Sequence, residues 1–238
     1  MSQAHHEAML SEWREKMRDG VEGHFGGHRI FTAPNVFPSH LGSTSRDVAK
    51  AALILQHLRE HCEPSGERLA LDMGCGNGSQ ALVLAALDVN RKVIAVDKDA
   101  DAVKNTQYNV NRSRYADKIE VHRSDLLADI AGLLPQSLGT ATPQFDTIIF
   151  NQPYYPREEP AQFGLGREGG RPLIRRFFAE IEPFIHSRTE ILMPFSNGVA
   201  AEHNPASVAN ACGYCVVPMH VRRDQAGETH VVYLFTRQ

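Results

Sequence analysis

The sequence predicts an α/β fold, a mostly parallel sheet with helices on both faces, and three observations carry that prediction. An apolar strand pattern, Leu69-Ala70-Leu71-Asp72, runs into the glycine-rich turn Gly74-Cys75-Gly76-Asn77-Gly78. Strand and helix patterns then alternate through the middle of the chain, as βαβ units with right-handed crossovers require. The last two strand patterns are joined only by the short Gln225–Glu228 connection, so that final pair is antiparallel.

Taken in order, Gln3–Asp19 carries helical apolar spacing at Met9, Leu10, Trp13 and Met17 and stops at Gly20. Gly20–Gly42 is rich in Gly, His, Phe and Pro and reads as an extended or loop segment. Thr44 or Ser45 caps a helix with Val48, Ala51, Ala52, Leu55 and Leu58 on one face, which breaks at Glu63-Pro64-Ser65-Gly66. After the glycine turn come helix Ala81–Leu87, strand Lys92–Asp97, helix Ala100–Val110 and strand Ile119–His122. Strand Thr147–Phe150, helix Pro172–Ile185, strand Glu190–Met193 and a short helix Ser207–Cys212 follow, before strands Cys215–Arg222 and His230–Thr236. The organisation is an N-terminal helix and extended segment over residues 1–45 and one main domain over 46–238. No internal repeat is visible.

At 238 residues the chain holds one α/β core with a small appendage. Hydrophobic content of 42% and charged content of 22% are ordinary for a soluble protein, and no apolar run is long enough for a membrane span. The start, Met1-Ser2-Gln3-Ala4-His5-His6-Glu7, lacks the features of a secretory signal, so Cys62, Cys75, Cys212 and Cys215 are expected as reduced thiols and the location as cytoplasmic. A formal net charge of -3 gives no global attraction to a polyanion, which disfavours nucleic acid without addressing a local basic patch.

The chemistry is expected at Asn151-Gln152-Pro153-Tyr154, which the apolar strand Thr147–Phe150 delivers to its carboxyl end, where open α/β sheets keep their active sites. The glycine turn has a rival reading, because dinucleotides also bind such turns. Their fingerprint is Gly-x-Gly-x-x-Gly, whereas here Gly74, Gly76 and Gly78 alternate and Ser79 takes the place of the third dinucleotide glycine.

Together, Asp72-Met73-Gly74-Cys75-Gly76-Asn77-Gly78 and Asn151-Gln152-Pro153-Tyr154, in this order and spacing, resemble the class I S-adenosylmethionine (SAM) methyltransferases. The specific likeness is to the HemK-like branch that methylates nitrogen through an (Asn/Asp/Ser)-x-Pro-(Tyr/Phe) motif. The resemblance implies a Rossmann-like seven-stranded sheet, mostly parallel with an antiparallel C-terminal strand, and SAM as cofactor. The glycine turn lets backbone approach the cofactor, with Cys75 inside it, and Asp72 accepts from the ammonium side. Asp97, at the next strand end, is the ribose acceptor, with Lys98 beside it covering the adenine or simply solvated; Asp99 reads as a helix N-terminal charge. Ser124-Asp125-Leu126 resembles the adenine-binding turn, with Asp125 accepting from the exocyclic amine and the Leu126 N–H donating; a helix cap is the alternative.

In that family the Asn side-chain oxygen and the carbonyl of the second motif residue hold the acceptor's N–H groups while the aromatic ring packs on its plane. These roles map to Asn151, Gln152 and Tyr154, with Pro153 shaping the turn and Asn151 also touching the cofactor. Gln152 departs from the Pro-Pro form, which frees φ and adds an N–H while keeping the carbonyl. Tyr155 and Arg157 open a charged loop, Tyr155–Arg171, positioned to lie over the acceptor site, where they are candidate substrate contacts; a solvated loop is the alternative reading. Likeness also extends through Gly164–Phe178 and Arg223–Arg237. Ser43-Thr44-Ser45-Arg46-Asp47 departs from the family's acidic pattern, and the large N-terminal helical domain of bacterial members is missing.

No metal site is expected, because Cys212-Gly213-Tyr214-Cys215 has no second cysteine pair. His24, His28 and His40 are read as scattered histidines without a catalytic role. Three acceptors compete: a protein glutamine amide, placed first; a small amino-acid-like metabolite; and adenine N6 of nucleic acid, placed third for want of a basic composition. A SAM-binding scaffold without catalysis is the reading from a different class, and intact Asn151 and Tyr154 oppose it. A partner subunit or homo-oligomer is left open, with the edge near Ile119–His122 as its place.

Overall fold

The computed structural model describes residues 8, 11, 12, 15–39, 47, 68–87, 90–130, 143–154, 169–225 and 227–237. The expected helices over 3–19 and 44–58 therefore lie largely outside the described residues; positions 8, 11, 12, 15, 16 and 47 are helical. The break at Glu63–Gly66 lies wholly outside them.

The segment expected to be extended or loop is a β-hairpin, β1 (Val21–Phe25) and β2 (His28–Thr32), paired antiparallel in the register Phe25↔His28 to Val21↔Thr32. Its two-residue turn is Gly26-Gly27, with φ of 55° and 82°, the left-handed pair that matches the twist of a tight hairpin.

The main sheet comprises β3 (Arg68–Met73), β4 (Asn90–Asp97), β5 (Ile119–Arg123), β6 (Phe145–Phe150), β7 (Ile185–Ser196), β8 (Tyr214–Arg223) and β9 (Thr229–Arg237). They lie in the order β5-β4-β3-β6-β7-β9-β8. The pairs from β5 to β7 are parallel, and β9 runs antiparallel to both β7 and β8, as the sequence predicts. Helices α1 (Ser79–Ala86), α2 (Ala100–Asn111), α3 (Gly170–Ile181) and α4 (Pro205–Ala211) connect them. The largest boundary shifts fall at α3 and β7. The helix expected to reach Ile185 ends at Ile181, where Pro183 turns the chain through a single 3-10 turn, and β7 extends well beyond the expected Glu190–Met193.

Strand alternation sorts the apolar residues onto two faces. Leu71, Met73, Ile148, Phe150, Ile191 and Met193 pack with Phe177, Phe178 and Tyr214 on one side. Ala70, Val93, Ala95, Ile149 and Leu192 pack against α1 on the other, which also takes Phe25 and Ile30 of the hairpin. Strands so buried on both faces read as continuous apolar runs. The chain travels outward from β3 through β4 to β5, then returns to β6 on the other side of β3. Met73 and Phe150 end adjacent strands in register, so a crevice opens beyond them at the point where the winding reverses. Among the described residues, no helix is long and apolar enough to cross a membrane.

Candidate functional site

Among the described residues the crevice is an open cleft, with about 960 Å³ of empty space including its open mouth. Its floor is the β3–α1 turn. The Cys75 N–H donates to the Val96 carbonyl at 2.9 Å, and the Gly78 N–H to the Cys75 carbonyl at 2.7 Å. Gly74, Gly76 and Gly78 all take positive φ, of 68°, 56° and 78°. A side chain at Gly76 would meet open space, whereas a Cβ on Gly78 would stand 2.9 Å from Thr106 Cγ2. The three glycines thus serve different ends: Gly74 and Gly76 present bare backbone to the cleft, and Gly78 lets the turn close on α2 without lining it.

Two acids face this floor. Asp72, at the end of β3, is buried, and its Oδ2 has no hydrogen-bond partner among the described residues. Burial raises its pKa to about 7; the nearby Asp97 charge adds to the rise, and a hydrogen bond from the Ala81 amide opposes it. Asp97, at the end of β4, accepts from the Gly76 N–H at 3.0 Å and the Asp99 N–H at 2.9 Å, one on each oxygen. Burial pushes its pKa up too, against those two amides. A carboxylate oxygen has more than one lone pair, so both retain acceptor capacity toward the cleft.

Lys98 and Asp99 line the cleft beside Asp97. Asp99 sits at the start of α2, where the sequence reading places a helix N-terminal charge, and also caps it, accepting from the Asp101 N–H at 2.9 Å. On the far wall, Ser124 ties two strand ends together: its N–H donates to the Asp97 carbonyl at 3.0 Å, and its hydroxyl accepts from the Asp129 N–H at 3.2 Å. Asp125 is half-exposed and lies 3.4 Å from Arg176. Leu126 has φ of 50°, the single non-glycine positive φ among the described residues, a conformation that costs about 1–2 kcal/mol for a side-chain-bearing residue. Ser124, Asp125 and Leu126 all line the cleft.

Asn151 and Pro153 reach the cleft from the end of β6. Gln152 and Tyr154 do not line it. The Gln152 side chain is buried and its Nε2 donates to the Pro194 carbonyl of β7 at 3.1 Å. The Tyr154 ring packs edge-on against Phe195 with centroids 6.5 Å apart, in a small cluster with Val199. The expected stacking ring is therefore turned into an apolar pocket in this state. The Pro153 carbonyl accepts from the Gly170 N–H at 2.8 Å, which brings the start of α3 back against the motif. Tyr155 and Arg157 lie outside the described residues.

The sequence reading missed the clamp that holds the front wall. Asn105 and Asn109, one helical turn apart on α2, grip the edge of β2. Asn105 accepts from the Ala33 N–H at 2.8 Å and donates to the Phe31 carbonyl at 2.9 Å. Asn109 accepts from the Phe31 N–H at 2.9 Å and donates to the carbonyls of Phe31 at 2.6 Å and Asn77 at 2.8 Å. Asn77 donates to the Thr32 hydroxyl at 2.8 Å, and Ser39 bridges Asn77 and Ser79 at 2.6 Å each. This network carries Val36, Phe37 and Ser39 to the cleft and locks the glycine turn. The i, i+4 asparagines on α2 are the one trace of it in the sequence, and by themselves they read as a solvated helix face.

Cys212 and Cys215 are exposed free thiols. Asp224, Glu228 and His230 bring ligand-type atoms within 4.8 Å of one another, but Asp224 there organises the β8–β9 turn, accepting from the Glu228 N–H at 2.9 Å.

Among solved structures, the fold is similar to precorrin 8W decarboxylase from Methanobacterium thermoautotrophicum, with a TM-score of 0.54 and 18% identity over 88% of this chain and 97% of that one. It is also similar to precorrin-6y C5,15-methyltransferase from Geobacter metallireducens, with a TM-score of 0.56 and 11% identity over 87% of this chain and 94% of that one. At such identities the likeness is one of fold. Curated relatives include the tRNA1(Val) (adenine(37)-N6)-methyltransferases of Escherichia coli and Shigella sonnei, 37% identical over 92 residues, which is 38% of this chain and 34% of each relative. The match spans about a third of the length of those relatives. A family model for the methyltransferase small domain matches residues 27–162, more than half of the chain, from the hairpin turn to beyond the Asn151 motif. The chain belongs to the methyltransferase small domain family.

Proposed function

We propose that this protein transfers a methyl group from SAM to a planar amino nitrogen, with an adenine N6 amine of RNA as the acceptor best supported. The observation that carries the reading is the convergence of Asp72, the glycine turn, Asp97 and Asn151 on one cleft at the switch point of the sheet. The residues fit the cofactor: Asp72 offers a buried carboxylate oxygen with no partner among the described residues, suited to an ammonium, and Gly74 and Gly76 offer backbone with room beside it. When bound, SAM supplies an electrophilic methyl group on a sulfonium.

Asp72 would hold the ammonium and Asp97 the ribose hydroxyls, while Leu126 and Phe37 wall the aromatic end. Asn151 would accept one N–H of the incoming amine, and the Gln152 carbonyl the other, aiming the nitrogen lone pair into the cleft. Their contribution is orientation, worth several kcal/mol in well-aligned sites. No general base is needed, because the proton leaves readily once the nitrogen is methylated.

An adenine amine and a glutamine amide both present an NH2 on a trigonal carbon, so the motif alone supports either. The glutamine reading, placed first from the sequence, rests on that motif. What moves adenine ahead is the 37% identity to methyltransferases named for tRNA adenine N6. The test is incubation with methyl-labelled SAM and separate protein, RNA and small-molecule fractions. Label in RNA, recovered as N6-methyladenosine, supports the proposal; label in protein glutamine, or in the small-molecule fraction, replaces its acceptor.

A further inference from the structure

We infer that the side chain of Gln152, and not only its carbonyl, is part of the methyl-transfer apparatus: its amide tethers the catalytic turn to β7 and so positions the acceptor-binding carbonyl. The inference rests on the methyl-transfer reading above.

Strands β6 and β7 run in register through Ile149↔Leu192. Beyond Phe150 the chain leaves the ladder to form the turn. Pro194, two residues past Leu192, keeps a carbonyl that a continued parallel ladder would pair with a backbone N–H. The Gln152 Nε2 supplies that donor instead, at 3.1 Å. The backbone is thus free to curve toward the cleft while still hydrogen-bonded to the sheet.

Three restraints then bracket the Gln152 carbonyl. Pro153 confines the preceding residue to extended conformations. The side-chain tether holds residue 152 to β7, and the Gly170 N–H holds the Pro153 carbonyl at 2.8 Å. A second proline at position 152 would fix φ through its ring; here a hydrogen bond provides the rigidity.

The tether also carries a cost that packing alone does not explain. Gln152 is 3% exposed, and its Oε1 has no partner among the described residues. A buried acceptor left without a donor costs about 1–3 kcal/mol, which an apolar side chain of the same length would not incur. The amide therefore serves through its donor.

The test compares Gln152→Leu and Gln152→Glu with the wild-type protein, using methyl-labelled SAM and bulk tRNA. In Gln152→Leu the Pro194 carbonyl loses its donor but the buried, unpartnered Oε1 is removed as well, so Tm should stay close to wild type and SAM affinity unchanged while kcat falls about tenfold or more. In Gln152→Glu, the neutral acid can donate to the Pro194 carbonyl and the carboxylate cannot. Its kcat relative to wild type should therefore rise as pH falls. Backbone amide exchange at Asn151 and Gln152, which needs no acceptor, should be faster in Gln152→Leu. Unchanged kcat and unchanged exchange in Gln152→Leu would overturn the inference, as would kcat and SAM affinity falling together with Tm. Absence of label with wild-type protein would instead count against RNA as the acceptor, and the exchange measurement would still decide the tether.

Discussion

Cofactor affinity should weaken as pH falls through neutrality, with Asp72 setting the slope. Burial is the main reason its pKa stands at about 7, and the charge of Asp97 adds to it. An ammonium is gripped by the ionised carboxylate alone. Each pH unit below the Asp72 pKa therefore takes about 1.4 kcal/mol from SAM binding, a tenfold loss of affinity. Between about pH 8 and about pH 6 the ionised fraction drops from about 0.9 to about 0.1, so Kd should rise about tenfold. Binding must also expel a proton wherever Asp72 starts protonated. Isothermal titration of SAM across that range, in pairs of buffers with different ionisation enthalpies, reads both quantities. Asp72→Asn should bind more weakly at high pH and show a flattened profile with less proton release. A wild-type Kd that stays within about twofold from end to end, with no proton release, would refute the reasoning.

Asn151→Ala should lower kcat by a hundredfold or more while SAM affinity stays near wild type, whereas Asp97→Ala should weaken SAM binding by about ten- to a hundredfold, as loss of charge-assisted hydrogen bonds to two hydroxyls implies; titration calorimetry and initial rates separate the two. Asn109→Ala removes hydrogen bonds to Phe31 and Asn77 and should lower stability by about 1–3 kcal/mol, with faster amide exchange in β2. Gly78→Ala puts a Cβ 2.9 Å from Thr106 Cγ2 at φ of 78° and should cost at least about 1 kcal/mol, read as a lower Tm. In the ligand-free protein the folded-state pKa of Asp72 lies above its unfolded value, so the stability it contributes is present at low pH and is lost as pH rises to about 7. Thermal melts of wild type and Asp72→Asn across that range should diverge accordingly.

How much was legible depended on whether the signal was local. The strand-to-turn junctions at Asp72, Asp97 and Asn151 are short apolar runs ending in polar residues or glycine, and the structure brings all three to one cleft. Apolar runs marked inner strands such as β3 and β6, whereas β8 and β9 were placed through the short connection between them, β8 being largely exposed. The hairpin carried a local signal too, a Gly-Gly pair between alternating residues, but His24 and His28 flank the turn and the Gly, His and Pro content suggested a loop. The clamp could not be read locally. Asn105 and Asn109 find their partners more than seventy positions away, at Phe31 and Ala33, and such polar residues on a helix read as solvated until the hairpin covers them. Side-chain direction was also hidden: nothing in Asn151-Gln152-Pro153-Tyr154 says that Gln152 reaches Pro194 or that Tyr154 packs on Phe195. Both contacts depend on β7, which lies some forty positions further along the chain.

Methyl transfer to a planar amine at the Asn151 turn is decided by incubating bulk tRNA with methyl-labelled SAM and either wild-type protein or Asn151→Ala. N6-methyladenosine is expected in the digested RNA with wild-type protein and none with the variant. Equal label from both proteins, or none from wild type in RNA, protein or small-molecule fractions despite measurable SAM binding, would contradict it.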